Sequence, residues 1–182
     1  MKNEYRGILL VAASTFAVTL FIDGATRSSL DKISPFFSLL LLLAVISIGI
    51  LFDIIGTAVI SANESSFHAM AAKQVPAASQ AIKLVKNADK VANFCNDLVG
   101  DIAGTLSGAI GAIVASSLGE PVLITLMAPL VSTLTVGGKA LGKRPAIKYA
   151  DRIIYQVASV LAWWERIFQR GKNRQRSKGS IG

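Results

Sequence analysis

Charge is scarce in this sequence. Only 16% of its 182 residues are Asp, Glu, Lys or Arg, against about 25% in ordinary soluble domains. A single cysteine, Cys95, excludes an internal disulfide framework and a cysteine zinc cluster. A single histidine, His68, with no HExxH pattern around it, argues against a zinc hydrolase. No phosphate loop, CxxC pair or Ser-His-Asp arrangement is present, so nothing in the sequence points to an enzyme. Apolar residues make up 52% and the mean hydropathy is +0.54, too apolar for a disordered chain. The formal net charge is +8. In so apolar a chain, that balance points to anionic lipid headgroups as partners and not to nucleic acid.

Long apolar runs stand in place of charge. A bilayer core takes about 20 apolar helical residues to cross. Four stretches are expected to span, at about 7–22, 36–62, 91–118 and 121–142. The second is the clearest. It runs from Phe36-Phe37 through Leu39 to Leu43, then Ile46, Ile48, Ile50 and Leu51, and its one charge is Asp53. The first is short and follows Lys2 and Arg6 in the manner of a signal peptide. Asp23 stands where a small residue would be needed for cleavage before Thr26, which favours an uncleaved signal anchor over a cleaved signal. Gly119-Glu120-Pro121 marks a tight turn between the last two spans. With both ends inside, Arg27 and Lys32 are the only two of the 19 Lys and Arg residues left outside. This positive-inside asymmetry predicts that both termini are cytoplasmic. The expected location is the cell membrane of a bacterium or archaeon.

Residues 145–168 read as an amphipathic belt helix lying in the inner interface. Ile147, Ala150, Ile153, Ile154, Val157, Leu161, Trp164 and Phe168 recur at helical spacing, with Lys148, Arg152, Gln156, Ser159 and Arg166 on the other side. Trp163, Trp164, Tyr149 and Tyr155 are expected as interfacial anchors. The alternative is a soluble amphipathic helix that packs on a domain not in this sequence. Residues 76–88 repeat the pattern more weakly. The segment 169–182 reads as a basic disordered tail. It either holds anionic headgroups or only enforces topology. The chain thus reads as an all-α polytopic transmembrane domain, 1–168, followed by this tail.

Carboxylates inside a span cost about 2.5–3.5 kcal/mol each on insertion scales, so they are functional candidates. Asp53 lies in the second span, and Asp97 and Asp101 share one face of the third. Counted from the inner ends of their spans, Asp53 and Asp101 fall at similar depth, about 14 Å inside at the helical rise. Asn96, Thr57 and Ser61 offer further oxygens nearby. Oxygen-only ligation suits a hard cation such as Mg²⁺. The competing reading is that Asp97 is solvated or caps a helix, and that Asp53 pairs with Lys139. The third span also reads Gly100-x-x-x-Gly104-x-x-x-Gly108, with Gly111 beyond, a spacing that lets helix backbones approach closely and is compatible with backbone close to an ion. Gly137-Gly138 is expected to break the fourth span, as in discontinuous helices at ion sites, unless it is only a flexible end.

Several of these stretches together resemble the transmembrane domain of the CorC and cyclin M magnesium transporters. Phe52-Asp53-Ile54-Ile55-Gly56-Thr57-Ala58-Val59-Ile60-Ser61 is similar to that family's F-S-x-S-E-T-A-L-x-S-like span end. Ala81-Ile82-Lys83-Leu84-Val85 matches its cytoplasmic helical excursion. Asn96-Asp97-Leu98-Val99-Gly100-Asp101 matches the start of its next span, and Gly138-Lys139-Ala140-Leu141-Gly142 a later P-K-A-L-G-like motif before a belt helix. The resemblance covers about 36–168. It implies Mg²⁺ transport and a homodimer. Ile55 and Gly56 stand at the family's Ser and Glu, the second Asn is missing, Thr135 replaces a Glu and Gly138 a Pro. The family's ligands therefore carry over only at Asn96, with Thr57 and Ser61 matching nearby positions. The paired cytoplasmic regulatory domains that usually follow are not in this sequence. Divalent cation transport is the first expectation. A non-transporting relative that serves a membrane protein partner is the second.

Overall fold

The computed structural model describes residues 34–178, with side-chain surroundings as far as Ile167, and six isolated positions before them: Ala12, Ala13, Phe16, Ala17, Leu20 and Gly24. Those six are helical; the expected first span, 7–22, otherwise lies outside the described residues, as do 179–182. All regular structure among the described residues is helical. The elements are α1 (Pro35–Ser61), α2 (Glu64–Ala72), α3 (Ala78–Lys86), α4 (Ala88–Asn93), a π-helical turn (Phe94–Val99), α5 (Gly100–Leu118), α6 (Pro121–Lys148) and α7 (Ala150–Lys178). Three helical stretches are long and apolar enough to cross a membrane: α1 with 27 residues, Ala88–Leu118 with 31 and α6 with 28.

Local chemistry sets most of the helix ends. Pro35 opens α1 and Pro121 opens α6, at first-turn positions where a missing N–H costs nothing. Asn63 caps α2, its Oδ1 accepting from the Ser65 N–H at 3.0 Å, and Glu64 adds an anion to that first turn. Gly119 ends α5 in the left-handed conformation at φ 72°, which glycine adopts without strain.

Three boundaries differ from the sequence expectation. The fourth span was expected to break at Gly137-Gly138, yet α6 runs unbroken through both. Gly138 serves close approach instead: an added Cβ would collide with the Ile50 side chain. The belt was expected to begin afresh at 145. In the structure α6 continues to Lys148, and the Tyr149 N–H to Pro145 O bond (2.9 Å) and the Ile153 N–H to Tyr149 O bond (3.0 Å) carry helical bonding into α7. α7 also runs on to Lys178, past the boundary expected at 168. Arg, Lys and Gln are good helix formers, and cations favour a helix C-terminus, so this basic stretch can stay helical.

The chain divides into two compact units. The first comprises Met1–Ile54 and Asn93–Lys143. Its core is Leu42 and Ile46 of α1, Ile110 and Val114 of α5, and Val131 of α6, flanked by Val45, Ile50, Leu106, Ile113 and Met127. The buried positions recur at three and four residues, the period of one helix face. Most of the apolar surface outside these stripes is uncovered, including Leu40, Leu43, Ile48, Leu126, Leu130 and Leu134. Such a surface suits lipid, because apolar burial within the chain is confined to one stripe per helix.

Small residues bring α1, α5 and α6 together, at only part of the glycine run read from the sequence. An added Cβ at Gly104 or Gly108 would meet nothing within 4 Å, whereas Gly111 lies against Val131 and Met127. Outside that run, Gly138 and Gly142 lie against Ile50 and Ile54, and an added Cβ at Gly49 would stand 2.9 Å from the Ala103 Cβ.

The second unit comprises Ile55–Ala92 and Arg144–Gly182. Here α3 packs against α2 and against α7. Phe67, Val59 and Ile154 are fully buried, among Ala58, Ala78, Ala81, Ala146, Ala150 and Ala158. Polar bonds tie the layer: the Asn63 N–H donates to Asp151 Oδ1 at 2.8 Å, and Gln80 Nε2 donates to Glu165. Part of the apolar face expected to meet lipid, Ala150 and Ile154, is therefore taken by protein. The second half of α7 leaves Val160, Leu161, Trp163, Trp164 and Ile167 exposed.

Gly49→Ala is expected to destabilise the chain by about 1–3 kcal/mol, because the Ala103 Cβ is fixed to its backbone and cannot turn aside. Gly137→Ala, whose Cβ meets nothing within 4 Å, is expected to be neutral or to stabilise by up to about 1 kcal/mol through helix propensity. Thermal unfolding of the two variants in detergent checks the contrast.

Candidate functional site

The inner stripe of α1 runs Leu42, Ile46, Gly49 and then Asp53. The helical period that packs the core thus delivers a carboxylate to the same face. Asp53 is 7% exposed, which makes it the one buried carboxylate among the described residues. Lys139 of α6 reaches it, with Nζ 3.6 Å from Oδ1. That is an ion pair but longer than the roughly 2.7–2.9 Å of a charge-assisted hydrogen bond. Gly100 at the start of α5 makes room for the ammonium: an added Cβ there would stand 3.2 Å from Lys139 Nζ.

Two buried oxygens in this unit have no hydrogen-bond partner, Asp53 Oδ2 and Asn96 Oδ1. Buried polar atoms are almost always paired, so each marks a place where the fold leaves an acceptor for something else. Asn96 belongs to the π-helical turn, about one turn before Gly100, whose N–H donates to the Cys95 carbonyl. π-Turns are rare and recur at functional sites, because the wider turn re-aims the side chains around it.

The remaining candidates are placed differently. Asp97 and Asp101 share a face as expected, but that face is exposed. Thr105 Oγ1 donates to the Asp101 carbonyl at 3.0 Å. Thr57 and Ser61 belong to the second unit, where the Ser61 hydroxyl donates to the Thr57 carbonyl at 2.9 Å. Among the described residues no three His, Cys, Asp or Glu side chains come together as a group that could hold a metal ion. Of the two readings left open for Asp53, the pairing with Lys139 is present. The Asp53 site therefore carries one carboxylate with one ammonium against it, and Asn96 Oδ1 is a second unpartnered acceptor in the same unit. Gly100, read from the sequence first as a packing glycine, lies beside that ammonium. The available signal was Asp53, the one charge of α1, and Lys139, the one charge within the expected span 121–142.

Comparison with known proteins finds no matching family model, no matching curated protein and no matching solved structure.

Asp53→Asn strands the Lys139 charge and is expected to cost about 3–5 kcal/mol, as when one member of a buried ion pair is removed. Asp97→Asn and Asp101→Asn, at exposed positions, should each stay within about 0.5 kcal/mol of the native chain. Denaturant or thermal melts of the three variants in one detergent give the comparison.

Proposed function

We propose that the protein is a polytopic membrane protein that passes a hard cation, Mg²⁺ in the first instance, through the helices of its first unit. The observation that carries this reading is the buried Asp53 carboxylate, whose Oδ2 has no partner; the Asn96 amide oxygen is a second unpartnered acceptor in the same unit. Ionisable side chains inside membrane helices are costly and mark ion pathways. Mg²⁺ is commonly held through one or two carboxylates while it keeps several waters, so a single buried carboxylate is compatible with it. In this reading Asp53 and Asn96 contact the ion. Asp97 and Asp101 draw cations to the exposed face of their helix. Thr57 and Ser61 remain supplementary oxygen donors, suggested by the resemblance to the CorC and cyclin M transporters. The same resemblance supports a homodimer.

The topology we propose has both termini in the cytoplasm, with 7–22 as a fourth span and α7 as the belt. The supporting features are the basic asymmetry of the segments between spans and the exposed Val160, Leu161, Trp163 and Ile167 beside Arg152 and Arg166. A reporter active only in the cytoplasm should work when fused after residue 182 and fail when inserted at position 30. The opposite pattern overturns the topology.

A second reading is favoured by the Lys139 contact: with Asp53 already charge-compensated, the protein would be a non-transporting membrane partner of another protein. Mg²⁺ uptake by proteoliposomes decides between them. The native chain should load Mg²⁺, and the double variant Asp53→Asn/Lys139→Met, which removes both charges and leaves neither unpaired, should not. Absence of uptake by the native chain would put the second reading first.

A further inference from the structure

We propose that Lys139 is a tethered cation of the Asp53 site, so that a small hard cation binds there in exchange for the Lys139 ammonium and not in addition to it. The inference deepens the cation-passing reading and rests on it only in taking Asp53 as a ligand of the ion.

Four observations converge on this exchange. The Asp53 carboxylate is nine-tenths buried and its Oδ2 has no partner. Asn96 Oδ1 is a second buried acceptor without a donor. The ammonium has three protons to give, yet it stands 3.6 Å from Oδ1, and Oδ2 and the Asn96 oxygen go unpartnered. It thus supplies charge without completing the hydrogen bonding. Finally, the Lys139 side chain is 22% exposed against 10% for Asp53, and its Nζ lies beside Gly100, where an added Cβ would stand 3.2 Å away. A flexible four-carbon stem that is partly exposed can withdraw its head, whereas Asp53 is fixed on the inner stripe of α1.

The charge arithmetic follows. With Lys139 in place the site is neutral, which keeps a lone carboxylate from standing uncompensated in a low-dielectric surround. A mobile cation that takes the carboxylate must overcome like-charge repulsion from the ammonium at close range, and repulsion between unit charges a few ångströms apart is strong in such a medium. The ammonium therefore lowers the site's affinity for mobile cations. It also guards the site against standing empty of positive charge after the ion leaves. Occupancy by the tethered and the mobile cation should alternate.

The test uses the full chain in detergent, its melting temperature followed against MgCl₂ and NaCl, with tetramethylammonium chloride at matched ionic strength as the control for screening. Lys139→Met should melt below the native chain without small cations and recover with Mg²⁺, at a half-effective concentration at least about tenfold lower than in the native chain. Lys139→Arg should behave as the native chain, and Asp53→Asn/Lys139→Met should not respond to Mg²⁺ at all. If Lys139→Met does not fold, Lys139→Gln, which keeps a polar head without the charge, is read in the same way. Recovery no greater with Mg²⁺ or Na⁺ than with tetramethylammonium overturns the proposal, as does failure of both variants to fold in any of these salts. The liposome result is separate. A native chain that carries no Mg²⁺ beside a Lys139→Met variant rescued by it removes the transport reading and keeps the tethered cation. Uptake by the native chain beside an unresponsive variant does the reverse.

Discussion

One carboxylate on the inner face of the most apolar helix constrains the first unit. Asp53 is too far inside to be left alone, so α6 must come close enough for a lysine to meet it. The residues around Lys139 are suited to that approach. Gly138 and Gly142, one residue before it and three after, lie against Ile50 and Ile54, which bracket Asp53 on α1. Larger residues at either glycine would hold the helices apart and lengthen the ion pair. Gly100 removes the third obstacle from the side of α5. The packing of small residues and the electrostatics of the pair are thus one arrangement: the glycines set the distance over which the charges act.

The second unit uses small residues without buried charge. Its interior is alanine-rich, with Phe67, Val59 and Ile154 as the larger fully buried side chains. Alanine keeps helix propensity high while leaving neighbouring helices close. The polar ties of this unit, Asn63 to Asp151 and Gln80 to Glu165, lie at exposed positions. They cost little to solvate and contribute register more than stability. Charge is handled in opposite ways by the two units, buried and compensated in one, exposed and bonded to backbone or amide in the other.

The three helices fit to cross a membrane were legible because length and apolarity alone decide them, and α1 at Pro35–Ser61 lies within a residue of the stretch read from sequence. The turn at Gly119 was legible for a similar reason, since few residues besides glycine adopt its conformation at no cost. Depth was harder to read. Counting residues from the span ends placed Asp53 and Asp101 level, but rotation about the helix axis decides which carboxylate is inside. The buried stripe of α5, Ala103, Ser107, Ile110 and Val114, turns Asp101 outward. The π-turn at Phe94–Val99 was not legible, because the widening depends on tertiary contacts and not on local propensity. The glycine run of α5 was visible, but only part of it is used: Gly111 is in contact while Gly104 and Gly108 are not, since glycine spacing says where backbones can approach and not where they do.

The Asp53–Lys139 pair joins two segments that are far apart in the order of synthesis. A ribosome adds about 5–20 residues per second, so α1 emerges seconds ahead of the lysine that will neutralise it. During that interval α1 carries a carboxylate whose partner lysine has not yet been made. Its first half carries an unbroken run from Leu39 to Leu43, and α1 is the most apolar of the three candidate spans. That excess of apolar surface offsets the waiting charge, so the composition of α1 answers to the timetable of its own insertion as well as to the packing it ends in.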